Sequence, residues 1–272
     1  MSRAPACAKL NLALVVGPPG EDGRHEVTTV LQRVDLADRV EVEPAPELTV
    51  SGFSGDTLVT RALTALAHAA GTEPRFAARI WKKIPVAAGL GGGSSDAATA
   101  LRLGNEALPE PLAPQRLAAI AATLGSDVPF FLEPGSQLGE GDGRDLSRLE
   151  LPQDYWVVLV HPAGQVKRST ADVYAGFDHR ADHEGYDGRR AALLDALAAV
   201  RRAADLAALP PNDLASSPVA EELRALGAFR ADVTGAGPVV YGLFLERREA
   251  GVAARRLKAR GRVWMTVPAW YV

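Results

Sequence analysis

The sequence predicts an α+β protein. Three observations carry that reading: an opening run of alternating apolar residues, a glycine cluster feeding an alanine-rich helix, and strands that alternate with helices. The alternation follows no strict βαβ repeat, which argues against a doubly wound parallel sheet. In the opening run, Leu10, Leu12, Leu14 and Val16 fall on one face of a strand, with Lys9 and Asn11 on the other. Residues 17–23 read as a turn, 27–34 and 39–43 as two further strands, and 57–70 as a helix. A strand over 76–84 feeds the glycines and their helix, and another helix spans 114–124 and stops at Gly125.

A boundary falls at Leu151, Pro152, Gln153 and Asp154, dividing the chain into residues 1–152 and 153–272. Beyond it come a strand at 155–160, a polar loop at 178–188 and a long helix at 189–206, where Leu193, Leu194, Leu197 and Val200 keep helical spacing. A helix at 218–226, a strand at 239–244, a basic helix at 246–260 and a strand at 263–267 complete the chain. No internal repeat is present.

Composition bounds the function classes. The chain has 272 residues, 47% of them hydrophobic, enough for a substantial core. A net charge of −3 argues against a nucleic-acid scaffold or a basic membrane-surface protein. The single cysteine, Cys7, permits no intrachain disulfide, fits a reducing compartment, and reads as a small buried hydrophobe. No secretory leader and no apolar run of about 18–20 residues is evident. The expectation is a cytoplasmic protein, monomeric or weakly dimeric, with no nucleic-acid or membrane partner.

The residues richest in chemical meaning are Pro85, Val86, Ala87, Ala88, Gly89, Leu90, Gly91, Gly92, Gly93, Ser94 and Ser95. Glycines let backbone N–H groups approach an anion, and the helix that follows adds unpaired N–H groups and the positive end of its dipole. Ser94, Ser95 and Asp96 offer N-cap chemistry directly before Ala97, Ala98, Ala100 and Leu101. The stretch lacks the lysine of a P-loop and does not fit the dinucleotide fingerprint. It is a phosphate cradle, or in the plainer alternative a flexible loop capped by serine.

Other candidates stay open on local sequence alone. Thr234, Gly235, Ala236 and Gly237 form either a second anion nest or a tight turn. Lys9 either snorkels to solvent or is held as a cation against developing negative charge. Asp127, between Gly125 and Pro129, is a general base, a metal ligand or a turn aspartate. His25 follows the turn Asp22, Gly23, Arg24. His179 and His183 have helical metal-ligand spacing but lie in a loop without the glutamate of the H-E-x-x-H motif.

Together these segments resemble the GHMP kinase superfamily, whose three ordered motifs match Ala8 to Leu12, the run from Pro85 to Leu101, and Val233 to Gly237. The resemblance narrows to the branch acting on a cytidine-diphosphate-linked erythritol. It does so through Asp22, Gly23, Arg24 and His25, residues 124–132 and 139–143, residues 169–174, and Asn212, Asp213 and Leu214. It implies a two-domain GHMP kinase fold with mixed and antiparallel sheets and helices, its active site in the cleft between the domains. It also implies phosphoryl transfer from ATP, with Mg²⁺, to a tertiary hydroxyl. By the same resemblance Asp127 is the base and Lys9 its electrostatic partner, the loop 85–95 binds ATP, and Asn11, Arg24, His25, Thr170 and Tyr174 hold the cytidine diphosphate substrate. The metal ligands are left unassigned.

Arg24 stands where the family has a tyrosine that stacks on cytosine, and a guanidinium plane can stack there too, with Tyr174 opposite. Thr57 replaces a usual asparagine near the adenosine, and Thr234 and Ala236 stand where serine is common. The competing readings are a homoserine or mevalonate type kinase, an inactive nucleotide sensor and an RNA-binding module.

Overall fold

The computed structural model describes residues 2–21, 23–165, 169–179 and 185–271. Two long strands, β1 (Ser2–Pro19) and β2 (His25–Pro44), form an antiparallel ladder that is the spine of the first sheet. The other edge of β2 is divided between two partners. β4 (Phe76–Trp81) pairs with Arg39 to Pro44, and β5 (Ser136–Glu140) pairs with Thr29 to Leu31. β3 (Thr49–Ser51) lies parallel to β4, and β6 (Asp145–Leu149) closes the far side against β5. The second sheet has the order β10-β7-β9-β8 and is antiparallel throughout: β7 (Trp156–Pro162), β8 (Arg230–Val233), β9 (Val240–Phe244) and β10 (Gly261–Thr266).

Helices cover these sheets where their apolar stripes dictate. α1 (Leu58–Ala69), α2 (Gly92–Glu106) and α3 (Pro114–Leu124) pack Leu63, Leu66, Leu101 and Ala121 against Val40, Ile80 and Phe130. α1 starts from the Asp56 carboxylate, which accepts the Val59 N–H at 2.9 Å. A second core joins the two sheets: Leu10, Leu12 and Val30 meet Leu159, Tyr241 and Leu243, with Leu193 from α5 (Tyr186–Ala199). α6 (Pro218–Ala225) and α7 (Arg247–Arg256) cover the other face of the second sheet through Leu223, Ala250 and Ala253. α4 (Thr170–His179) packs Phe177 onto Leu14 and Val16. Among the described residues no helix is long and apolar enough to cross a membrane.

Several sequence expectations are corrected. The strands expected at 27–34 and 39–43 are the single strand β2, because the register shift between Cys7 and Ala8 lets the intervening residues bulge without leaving the ladder. A second shift, between Asn11 and Ala13, breaks the single apolar face expected of β1. Leu10 and Leu12 enter the core between the sheets with Ala13 and Val15, whereas Leu14 and Val16 face Phe177. β1 also continues through Gly17 as far as Pro19, so the turn is shorter than expected.

The helix expected over 189–206 ends at Ala199, since Val200 turns extended (ψ 124°) and a 3₁₀ turn follows at Ala203–Ala208. Within the polar loop expected at 178–188, residues 178–179 close α4 and Tyr186 opens α5. His183 lies outside the described residues. The basic helix likewise splits into α7 and the 3₁₀ turn Leu257–Arg260.

Candidate active site

The glycine loop enters α2 at Gly91, which adopts a left-handed conformation (φ +68°). A Cβ there would lie 2.9 Å from Phe131 Cζ and 3.0 Å from Lys9 Cγ, so only glycine fits. No side chain caps this helix. The expected cap residues Ser94, Ser95 and Asp96 lie inside its first turns, because the left-handed Gly91 starts the helix at Gly92, and Ser95 and Asp96 are buried. The N–H groups of the first turn are therefore left for a ligand. Ala87 is also left-handed (φ +63°), alone among the described non-glycine residues, at a cost of about 1 kcal/mol.

The third motif lies directly against the first loop, backbone to backbone. A Cβ on Gly237 would fall 2.3 Å from the Ala88 carbonyl, and one on Gly89 (φ +82°) would fall 2.4 Å from the Thr234 carbonyl oxygen. The Val239 N–H donates to the Ala88 carbonyl at 3.4 Å, and Lys9 N–H donates to the Leu90 carbonyl at 3.0 Å. β1, the glycine loop and the 234–237 loop are thus locked together at one point. The Thr234 hydroxyl completes the junction by accepting the Asn11 N–H at 3.1 Å.

Lys9 does not snorkel. It is 5% exposed, and its ammonium donates to Asn11 Oδ1 at 2.7 Å while standing 3.6 Å from Asp127 Oδ2. Asn11 in turn donates through Nδ2 to the Thr29 hydroxyl at 2.8 Å, which donates to the Ala13 carbonyl at 2.8 Å. This chain of hydrogen bonds fixes the rotamer of a buried cation. Asp127, 40% exposed, sits on the corner between α3 and the 3₁₀ turn Pro129–Leu132, where the Val128 N–H bonds back to the Gly125 carbonyl. The pair lines a cavity of about 440 Å³ with the glycine loop, Tyr174 and Gly235.

A second cavity of about 740 Å³ shares Val27, Ser126, Asp142, Thr170 and Tyr174 with the first, so the two form one cleft. Arg24 and His25 lie in this part. His25 Nε2 is 2.7 Å from Asp178 Oδ1, and its ring centroid is 4.8 Å from that of Tyr174. Burial, with the Asp127 charge behind it, pushes the Tyr174 hydroxyl up to about 12. Arg24 pairs with Asp142 at 2.9 Å, and Arg144 reaches the same carboxylate oxygen at 3.1 Å. The cleft thus gathers Lys9, Asn11, Asp127, the loop 85–94, Arg24, His25, Thr170 and Tyr174, while Ser95 lies buried behind its wall.

Sequence reasoning missed the charges beneath the glycine loop. The Lys82 ammonium bridges Asp38 and Asp96, reaching Asp96 Oδ2 at 2.6 Å. Asp38 also accepts the backbone N–H groups of Lys83 and Ile84, the latter at 2.8 Å. Asp96 Oδ1 is buried without a hydrogen-bond partner among the described residues, and burial, reinforced by Asp38 against the pull of Lys82, pushes the Asp96 carboxyl up to about 8. The available signal was the pair of opposite charges straddling the loop at positions 82 and 96. Among the described residues no three His, Cys, Asp or Glu side chains are grouped to hold a metal ion.

Residues 57–135 match the family model of the GHMP kinases N terminal domain, and residues 192–263 that of the GHMP kinases C terminal. A Geobacter sulfurreducens protein named 4-diphosphocytidyl-2-C-methyl-D-erythritol kinase is 36% identical over 94% of each chain. A protein of the same name from an Anaeromyxobacter species is 40% identical, covering 93% of this chain and 85% of the relative. The crystal structure of a 4-(cytidine 5'-diphospho)-2C-methyl-D-erythritol kinase superposes with a TM-score of 0.80 at 32% identity, over 98% of this chain and 99% of the other. A mevalonate kinase superposes at 0.76 with 14% identity over the whole of both chains, a likeness of fold alone.

Proposed function

We infer, from the premise that this chain belongs to the 4-diphosphocytidyl-2-C-methyl-D-erythritol kinase family of the GHMP kinases, that it phosphorylates the 2-hydroxyl of that cytidylyl alcohol with ATP. The reaction is a step of non-mevalonate isoprenoid precursor synthesis. One observation carries the assignment of its chemistry to residues: a buried ammonium, Lys9, stands 3.6 Å from the half-exposed Asp127 carboxylate beside the uncapped start of α2.

In this reading the acceptor hydroxyl lies on the cavity side of the Lys9–Asp127 pair, within hydrogen-bond reach of both. Asp127 takes its proton as the oxygen attacks the terminal phosphorus of ATP, and the bond from that phosphorus to the ADP oxygen breaks as the new bond forms. The Lys9 ammonium offsets negative charge building on the attacking oxygen, and the Asn11 bond keeps it aimed without reorganisation. The first-turn N–H groups of α2 and the backbone of residues 85–95 hold the phosphates. When bound, Mg²⁺ would offset phosphate charge there, and Ser94, at the cavity wall, is the residue that would help hold it.

Asn11, Arg24, His25, Thr170 and Tyr174 hold the cytidine diphosphate part, with the base between Arg24 and Tyr174 and His25 held by Asp178. Residues 1–152 carry the nucleotide and 153–272 close the cleft, in keeping with a first sheet built from residues 2–149 and a second from 156–266. The reading includes a monomer or weak homodimer in the cytoplasm, a compartment that the single cysteine, Cys7, suits. The test is a parallel assay with ATP and the cytidylyl alcohol, homoserine or mevalonate. Only the first is expected to yield ADP and a phosphorylated product; preference for another acceptor, or ATP binding without turnover, overturns the reading.

A further inference from the structure

Arg33, on β2, is 2% exposed, yet its partners among the described residues are carbonyls and not carboxylates. One guanidinium nitrogen donates to the Tyr271 carbonyl at 2.8 Å. The other donates to the carbonyls of Glu133, at 2.5 Å, and Phe130, at 3.3 Å. The guanidinium carbon also sits 5.6 Å and 5.7 Å from the ring centroids of Phe130 and Phe131. Burial lowers this group only to about 10, so it stays charged at neutral pH.

Burying a cation with no carboxylate in contact is costly; three carbonyls and two rings offset part of that cost, while Arg33 Nε has no hydrogen-bond partner among the described residues. What these contacts grip is informative. On one side is the turn that follows Asp127, whose Phe131 ring packs at Gly91 and so at the start of α2. On the other is the segment 267–271, which runs along β2: Asp35 N–H donates to the Val267 carbonyl, Ala269 N–H donates to the Arg33 carbonyl, each at 2.9 Å, and the Tyr271 hydroxyl donates to Asp35.

We propose that Arg33 is a positioning residue for Asp127, clamping the 129–133 turn to the 267–271 segment so that the carboxylate corner is held against Lys9. This rests on the role given to Asp127 above. Asp127 is the more exposed member of the pair and sits on a corner outside regular helix, so its geometry depends on what fixes the turn. Lys9 needs no such help, being held by the Asn11 and Thr29 bonds.

The test compares the intact enzyme with Arg33→Met, Arg33→Lys and a chain shortened after residue 269, which removes the Tyr271 acceptor. Each is assayed well below its melting temperature with ATP and the cytidylyl alcohol. A misplaced carboxylate lowers kcat without loosening the nucleotide: Arg33→Met is expected to lose about tenfold or more in kcat with KM for ATP within about twofold. Arg33→Lys keeps the charge but not the fork and should recover part of that loss; the shortened chain should show a smaller fall of the same kind.

Lower melting temperatures with unchanged kcat would make Arg33 merely structural and overturn the proposal. If Arg33→Met fails to fold, the kcat of the shortened chain decides. An intact chain that forms no phosphorylated cytidylyl alcohol sinks the reading of the function instead, so the two failures are distinct.

Discussion

The two ends of the cleft are built on different principles. At the phosphate end the walls meet as main chain: Gly89 and Gly237 bring two loops together at distances no Cβ could occupy, and Gly91 sits as closely against Phe131 and Lys9. At the Arg24 end the walls are side chains, joined by contacts such as the Arg24–Asp142 ion pair and the His25–Asp178 hydrogen bond. The first arrangement resists substitution, and on the proposed reading it sets where phosphorus is held. The second, on the same reading, can exchange one residue for another, as with Arg24 in the place of a tyrosine. On the proposed reading the seat of the phosphates is thus set by backbone, the chemistry by the Lys9 and Asp127 side chains beside it, and acceptor preference by the exchangeable side chains at the far end.

That contrast can be broken in graded steps. The largest effect is expected between Lys9 and Asp127: Lys9→Met and Asp127→Asn should each lower kcat by about 100- to 10,000-fold, with KM for ATP little changed. A comparable loss of ATP affinity instead would show that the pair serves binding. Next comes Gly237→Ala, whose Cβ would collide with the Ala88 carbonyl at 2.3 Å. It should destabilise by more than about 2 kcal/mol in a denaturant titration and raise KM for ATP; a neutral result would mean that the loops are not locked.

A smaller effect concerns pH. Burial raises the Asp96 carboxyl from the ordinary carboxylate range to about 8, so across that window the folded chain holds a proton that the unfolded chain has released. Stability is therefore greatest at the acid end of that window and falls as pH rises towards 8. Asp96→Asn should flatten the melting temperature between pH 6 and 8, a range that lies within that window. A slope unchanged by the substitution would assign the dependence elsewhere. The smallest change is expected at the side-chain end: Arg24→Ala should raise KM for the cytidylyl alcohol by less than about fivefold and leave KM for ATP alone. A collapse of kcat there would erase the distinction between the two ends.

Legibility in the sequence follows the same division. The cradle could be read because glycine is the residue a close backbone approach demands, and Lys9 and Asn11 could be read as a pair because β1 alternates up to that point. Helices at 114–124 and 218–226 carried Pro starts and strong apolar faces and agree with α3 and α6 to within a residue. What stayed hidden depends on tertiary context. The bulge after Asn11 leaves no local mark, yet it turns Leu14 towards the cleft.

β5 and β6 are five residues each around a glycine turn, and β3 is three, too short for a periodic signal. Asp96 has a good capping profile, but its carboxylate is drawn instead to Lys82. Arg33 looks like any surface charge on an alternating strand; only the turn and the segment folded over it make it buried.

The meeting of Ala88 and Gly89 with Thr234, Gly237 and Val239 has a temporal consequence. One wall of the nucleotide seat is synthesised about 150 residues after the other. On the proposed reading, a nascent chain emerging from a ribosome lacks that wall of the seat until most of the polypeptide is made.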